Sequence, residues 1–172
     1  MTRREKTISW HDVDESLAAM PALSGLEYLQ KMASGELPAA PISGHMAMEL
    51  TDVQEGTVTF TCRPDASHYN PIGTVHGGLV CTVLDSALGC AVHSTLPAGM
   101  GYTSIEIKVN YLRPVRLDSG PLVCTGRVTK PGRRAAFAEG QITDRHGKTV
   151  ATASGSLLIF PHEQGIASTP RQ

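Results

Sequence analysis

The chain has 172 residues, of which 41% are hydrophobic and 18% charged, and its formal net charge at pH 7 is −1. This length and composition are typical of one globular domain. The charge balance argues against a nucleic-acid partner, which requires a strongly basic surface. Four scattered cysteines without a C-x-x-C pair favour free thiols over disulfides or a zinc site. The charged start lacks a following apolar segment, so we expect a cytoplasmic protein without a membrane anchor.

Residues 1–40 are predicted to form an N-terminal arm that carries one short amphipathic helix. The pattern over residues 1–22 is weak, which indicates a mobile or draped segment. Ser24 and Glu27 then fit a helical capping box. Apolar residues recur at helical spacing from there until Gly35, and a Pro/Ala-rich linker follows.

The main domain, residues 41–162, is dominated by the alternating pattern of β-strands. Two strands are expected before one long apolar stretch and four after it, over residues 45–53, 57–62, 104–111, 121–128, 134–143 and 148–160. The turns between neighbouring strands are short and rich in Gly, Pro and Asp, so adjacent strands should pair antiparallel. Residues 163–172 are predicted to be a C-terminal tail.

The long apolar stretch begins at Gly77-Gly78 and runs to about Leu96. It is too long for one buried strand and too short to cross a bilayer, so we predict a helix that is buried on nearly all sides. An antiparallel sheet curled around this helix would bury it, which gives an α+β fold. The helix carries one carboxylate, Asp85, and a buried charge needs a partner or a function.

Gly77 and Asp85 suggest chemistry on an acyl carbon. A backbone N–H at a helix N-terminus is a preorganised donor for an oxyanion, and a carboxylate can act as a nucleophile or as the base for a water molecule. Both groups must lie about 3 Å from the reacting carbonyl. Eight residues along one helix separate them by roughly 12 Å. A shared site therefore requires Gly77 from one chain and Asp85 from another.

A His-Gly-Gly triplet with an acid eight positions past its first Gly resembles the signature of hotdog-fold acyl-CoA thioesterases, the phenylacetate-degradation type in particular. The residues that carry the resemblance are Asn70, Gly73, Thr74, Val75, His76, Gly77, Gly78 and Asp85. The similarity continues through Thr103-Ser104 and residues 110–114, and covers roughly residues 40–160. It implies a hotdog fold, in which a curved antiparallel sheet of about six strands wraps around one long central helix.

The resemblance also implies a role for each candidate catalytic residue. Gly77 would polarise the thioester carbonyl through its N–H, and Asp85 of the partner chain would be the nucleophile or general base. Asn70 would hold the attacking water or the thioester, and Ser104 would assist the water or the Asp. His76 would support the loop more than transfer protons. The candidates for substrate binding are Gly78, Arg113, Arg133 and Arg134, the arginines because guanidinium groups suit the CoA phosphates.

The substrate class implied is an acyl or aryl-acyl coenzyme A, which is hydrolysed to the acid and free CoA without a cofactor or metal. The resemblance implies a homo-oligomer, at least a dimer and by analogy a dimer of dimers (a homotetramer). The chain departs from compact members of the family in its first forty residues. These could cover the acyl pocket or an oligomer surface.

Two other functions stay open on the same fold. A non-catalytic acyl-CoA binding or sensor module would not need Asp85. An acyl-thioester hydratase would use an Asp/His or His/Glu pair, which the sequence does not place. Cys81 shares a helix face with Asp85, but no His is spaced to activate it, so we interpret it as a core residue. The set of His68, His76, His93 and Asp85 fits no compact metal motif.

Overall fold

A computed structural model describes residues 2–162 and shows four α-helices and a six-stranded antiparallel sheet. The helices are α1 (Asp14–Ala19), α2 (Gly25–Ser34), α3 (Pro41–His45) and α4 (Gly77–His93). The strands are β1 (Met48–Gln54), β2 (Thr57–Cys62), β3 (Met100–Tyr111), β4 (Leu122–Lys130), β5 (Ala135–Thr143) and β6 (Thr149–Pro161). The predicted α+β architecture, with one long helix against six strands, is confirmed. None of the helices within residues 2–162 is long and apolar enough to cross a membrane.

The sheet has the order β1-β2-β4-β5-β6-β3, and each neighbouring pair is antiparallel. The predicted β1–β2 hairpin is present. Strand β3 follows α4 in the chain but lies at the far edge of the sheet, where it pairs with β6. Its 12 residues leave one side without a strand partner in the part of the chain that the structure describes. An exposed edge of this length is a surface on which another strand can pair.

Helix α4 packs closely on the concave face of the sheet. Val83, Leu84 and Ala87 on its inner face have no exposed surface. Gly126 of β4 permits the close approach, because a Cβ at that position would lie 2.3 Å from the carbonyl oxygen of Ala87. A larger residue at position 126 would therefore push the helix away from the sheet.

The prediction that α4 is buried on nearly all sides is wrong for a single chain. Cys81, Thr82, Asp85, Ser86 and Cys90 form a stripe along the helix that is only half-buried. The spacing of these residues places them on one helical face. The fold of one chain thus leaves this face partly uncovered, and Asp85 lies in the middle of it.

The N-terminal segment holds more helix than predicted. The capping box of Ser24 and Glu27 is confirmed. Helices α1 and α3 were not predicted, and both are too short for a periodic pattern to reveal them. Helix α3 starts at Pro41, where the fixed φ of proline favours a first helical position.

Several element boundaries differ from the prediction. Strand β1 begins at Met48 rather than at residue 45, because α3 occupies the preceding residues. Strand β3 begins at Met100 rather than at residue 104, and α4 ends at His93 rather than near Leu96. The predicted C-terminal tail, residues 163–172, lies outside the described residues.

The N-terminal segment is fixed to the main domain at both of its ends. The Gly25 N–H donates to the carbonyl of Leu96 at 2.9 Å. Near the start of the chain, the Lys6 ammonium lies 2.7 Å from the carboxylate of Asp65, and this contact is the largest cause of a strongly lowered Asp65 pKa. Within residues 1–22, which were expected to be mobile or draped, Lys6 thus contacts the loop after β2, and the Trp10 ring packs against His45 of α3.

Candidate active site

The N-terminus of α4 is organised by His76, which is the N-cap residue. Its Nδ1 accepts a hydrogen bond from the Gly78 N–H at 2.8 Å. The Gly77 N–H makes no hydrogen bond within residues 2–162. It therefore remains free for a ligand at the positive end of a 17-residue helix. His76 thus caps α4 at the position for which the family resemblance implies a loop-supporting role.

Asn70 holds together the loop that leads into α4. Its Oδ1 accepts from the N–H groups of Ile72 and Thr74, each at 3.1 Å, and its Nδ2 donates to Thr74 Oγ1 at 2.8 Å. These contacts are those of a turn-forming asparagine. One N–H of the amide is left over from this network.

Asp85 and Ser104 meet across the interface between α4 and β3. The Ser104 hydroxyl donates to Oδ1 of Asp85 at 2.7 Å. The β3–β6 register is irregular between Ser104 and Glu106, so Ser104 ends a regular run of pairs. Bulges of this kind change the direction of a side chain next to a functional site. The hydrogen bond fixes one oxygen of the carboxylate and leaves the other free for chemistry.

Asp85 lines a cavity of about 720 Å³ between α4, α2 and the first strands. Cys90 and Tyr102 line the same cavity. Burial raises the pKa of the Cys90 thiol to about 12 and raises the pKa of the Tyr102 phenol well above its usual 10. Both side chains are therefore neutral at pH 7.

Gly77 lines a different and smaller cavity of about 270 Å³, together with Asn70 and Tyr111. The Tyr111 hydroxyl donates to the Gly77 carbonyl at 3.1 Å. Sequence reasoning gave no role to Tyr111, because its alternating strand pattern carries no information about which loop the ring contacts. Gly77 and Asp85 thus open onto separate cavities within one chain. A single chain cannot present both to one carbonyl.

Residues 72–151 match the family model of the thioesterase superfamily. The chain is also similar to human acyl-coenzyme A thioesterase 13, with 31% identity over 103 residues that cover 59% of this chain and 72% of the human protein. The chain belongs to the thioesterase superfamily.

Other relatives match over a smaller share of their length. A Caenorhabditis elegans relative is 35% identical over 101 residues, which are 58% of this chain and 59% of the worm protein. The chain therefore spans about three fifths of that relative. Among solved structures, a phenylacetic acid degradation-related protein from Ralstonia eutropha superposes with a TM-score of 0.70 and 26% identity, and the match covers 76% of this chain and 98% of that one. The predicted hotdog fold is confirmed.

In this superfamily member, Arg113 lies beside Gly77 in the smaller cavity. Its guanidinium donates to the carbonyl oxygen of Thr149, which anchors the side chain at the end of β3. Arg113 is exposed, so its remaining N–H groups face solvent next to the α4 N-terminus. The structure therefore brings this candidate arginine and Gly77 together.

Arg133 and Arg134 lie elsewhere, in the exposed turn between β4 and β5. Strand β5 starts opposite Leu158, whereas Tyr111 next to the α4 N-terminus pairs with Ala151. These two positions on β6 are seven residues apart, which corresponds to about 23 Å along the strand. Within one chain, these two arginines are thus remote from the loop that precedes α4.

The alternatives based on a thiol or a metal gain no support from the geometry. Burial, and secondarily the charge of Asp85, raises the pKa of the Cys81 thiol, so it lacks the thiolate that a nucleophile needs. Over residues 2–162, no group of three or more His, Cys, Asp and Glu side chains is arranged to hold a metal ion.

Proposed function

We propose that the protein hydrolyses the thioester bond of an acyl or aryl-acyl coenzyme A to give the free acid and CoA. The observation that carries the proposal is the Asp85 carboxylate, which faces a cavity from an apolar helix and is hydrogen-bonded to Ser104. No Lys or Arg of residues 2–162 lies within ion-pair distance of it. A half-buried carboxylate without a cationic partner is a candidate for catalysis.

The Asp85 carboxylate would act in one of two ways. It attacks the carbonyl carbon itself, or it takes a proton from a water molecule that attacks. In both cases the π electrons of the carbonyl move to its oxygen. The resulting oxyanion accepts a hydrogen bond from the Gly77 N–H. The C–S bond then breaks and CoA leaves as the thiol after taking up a proton. After direct attack, water hydrolyses the mixed anhydride on Asp85.

Two chains would build each site, because Gly77 and Asp85 open onto separate cavities in one chain. The half-buried stripe of α4 and the free side of β3 support a homodimer as the minimal active unit. Ile105 on this edge strand is 60% exposed, as expected for a surface that a second copy covers. A dimer of dimers is compatible with this arrangement.

The remaining candidates would position the substrate. His76 and Asn70 hold the loop that presents the Gly77 N–H, and the spare amide N–H of Asn70 is available to the water or the thioester. The absence of a side chain at Gly78 leaves room for the His76 ring at the start of α4, since a Cβ there would lie 2.9 Å from Nδ1 of His76. Arg113, which lies near the same loop, would meet a CoA phosphate.

The test is the release of free thiol from a panel of CoA esters. Asp85→Asn keeps the shape of the side chain but removes the base, and it should lower the rate by about 10²-fold or more. Asp52→Asn changes an exposed carboxylate on β1 and serves as the matched control. Equal rates for Asp85→Asn and wild type would exclude the mechanism. Acyl-CoA binding without thiol release by the wild-type protein would identify a non-catalytic module.

A further inference from the structure

We infer that the acyl group of the substrate lies in the cavity between α4 and the N-terminal residues 25–43, and that this site selects an uncharged acyl group longer than acetyl. The inference rests on the proposed thioesterase function and adds the substrate class.

The cavity begins at the reacting carboxylate and continues in one direction. Asp85 and Ser104 mark its start. Cys90 lies five residues further along α4, which is about 7.5 Å at the helical rise. Tyr102 lies two residues before Ser104 on β3, on the same side of the strand. A carbonyl placed at Asp85 would therefore direct its acyl tail along α4 towards Tyr102.

The wall opposite α4 comes from the N-terminal segment. Its lining residues on α2 and the following linker are mostly apolar or small: Leu29, Met32, Ala33, Leu37, Pro38 and Ala40. All of them precede the stretch that matches the superfamily model, residues 72–151. The hydrogen bond from Gly25 to Leu96 holds α2 in place across the cavity. The length of acyl group that fits is thus set by a segment outside the matched region.

Tyr102 lines the cavity from β3, and further uncharged rings pack behind it. The Tyr102 ring packs on His93, and His93 packs on Tyr28, each with ring centroids 5.4 Å apart. Gly89 makes room for Tyr102, since a Cβ there would lie 2.6 Å from the ring. Burial lowers the pKa of His93 to about 4, so this side chain is uncharged at neutral pH. An alkyl or aryl tail is the complementary ligand for such a surface.

The charge of the lining excludes a second carboxylate on the acyl group. The described residues that line the cavity include the carboxylates Asp85 and Glu49, one histidine, His11, and no Lys or Arg; Glu49 pairs with Arg63, which lies outside the lining, at 3.6 Å. The second carboxylate of a dicarboxylic acyl group would meet the like charge of Asp85 there and would find no Lys or Arg in the lining. The volume of about 720 Å³ is typical of a pocket for an organic ligand and exceeds what an acetyl group needs.

Binding of two unreactive CoA thioethers tests the inference independently of hydrolysis. Isothermal titration calorimetry compares S-decyl-CoA with S-ethyl-CoA on the full-length protein. Each buried methylene contributes roughly fourfold in affinity, so the decyl compound should bind the wild type at least about 100-fold more tightly. Ala33→Trp fills the wall of the cavity and should reduce this preference by about tenfold or more. Gln30→Trp, on an exposed position of α2 that does not line the cavity, should leave it unchanged.

Ala40→Trp provides a second obstruction from the linker if Ala33→Trp does not fold. Equal affinity of the wild type for the two thioethers would overturn the inference, as would an unchanged preference in the folded Trp variants. If S-decyl-CoA binds as expected but no CoA ester is hydrolysed, the acyl site stands and the proposed function fails. If CoA esters are hydrolysed at rates that do not depend on acyl length, the proposed function stands and the proposed acyl site fails.

Discussion

Replacing Gly77 by proline removes the one N–H that the mechanism assigns to the oxyanion. Proline is favoured at the first position of a helix, so α4 should still begin there. The preceding His76 has φ −62° and ψ 134°, the extended conformation that a residue before proline requires. Losing one preorganised oxyanion donor typically lowers kcat by about 10²- to 10³-fold. We expect a loss of this size with the fold intact.

Gly77→Ala is the matched control, because it adds a Cβ and keeps the N–H. That Cβ lies 3.2 Å from the ring of Tyr111, which is 56% exposed and free to shift. Steady-state thiol release compares the two variants, and circular dichroism checks that both are folded. The Ala variant should stay within about tenfold of the wild type. If Pro and Ala reduce kcat equally, the Gly77 N–H is not the oxyanion donor.

Three further predictions concern the carboxylate, the docking of α2 and a buried histidine. Ser104→Ala removes the 2.7 Å hydrogen bond to Asp85. It should lower kcat/KM in the thiol-release assay about 10- to 100-fold, which corresponds to the usual free energy of a hydrogen bond to a charged group. Gly25→Ala places a Cβ 1.8 Å from the His93 carbonyl oxygen, so the free energy of unfolding in urea should fall by more than about 3 kcal/mol. In the folded protein the pKa of His93 is about 4, against an ordinary value of 6.5. The neutral form of His93 therefore contributes to the stability of the fold above pH 6.5, and this contribution is lost as the pH falls towards 4. Between pH 7 and pH 5 the loss should be about 2 kcal/mol in urea unfolding, and His93→Phe should remove it.

Each of these three predictions has a control that separates it from general damage. Ser104→Thr keeps the hydroxyl and should retain most of the activity; equal losses in Ala and Thr would rule out the hydrogen bond as the cause. Gly35→Ala meets no atom within 4 Å but has φ +81°, so it should cost only about 1 kcal/mol. If Gly25→Ala lowers the free energy of unfolding by a similar amount, α2 does not need the close contact between position 25 and the His93 backbone. An unchanged pH dependence in His93→Phe would disprove the role of the histidine.

The elements that sequence reasoning recovered are those whose signals are local. The alternating strands, the capping box at Ser24 and the proline-free run of α4 are each determined by neighbouring residues. The family resemblance implied that Ser104 assists the water or Asp85, and the structure shows a hydrogen bond between the two side chains. Its geometry depends on β3 crossing to the far edge of the sheet, which no local pattern specifies.

The features that the sequence left open, or that were predicted wrongly, depend on contacts between distant segments. Helix α2 lies across the Asp85 cavity because Gly25 permits close packing on His93, nearly seventy residues away. Its amphipathic pattern predicts a buried face but does not identify the surface that covers it. The overestimated burial of α4 has a similar origin. Apolar residues indicate burial, and they do not show whether the same chain or a second copy supplies the contact.

The central claim is that one protomer supplies Gly77 and its partner supplies Asp85. Co-expression of Gly77→Pro and Asp85→Asn chains with two different tags allows the mixed oligomer to be purified. In a mixed dimer one of the two sites has both residues intact, so thiol release should return to about half of the wild-type rate. Each variant alone should be nearly inactive. A mixed dimer that is no more active than its parents would show that the two residues do not act together across an interface.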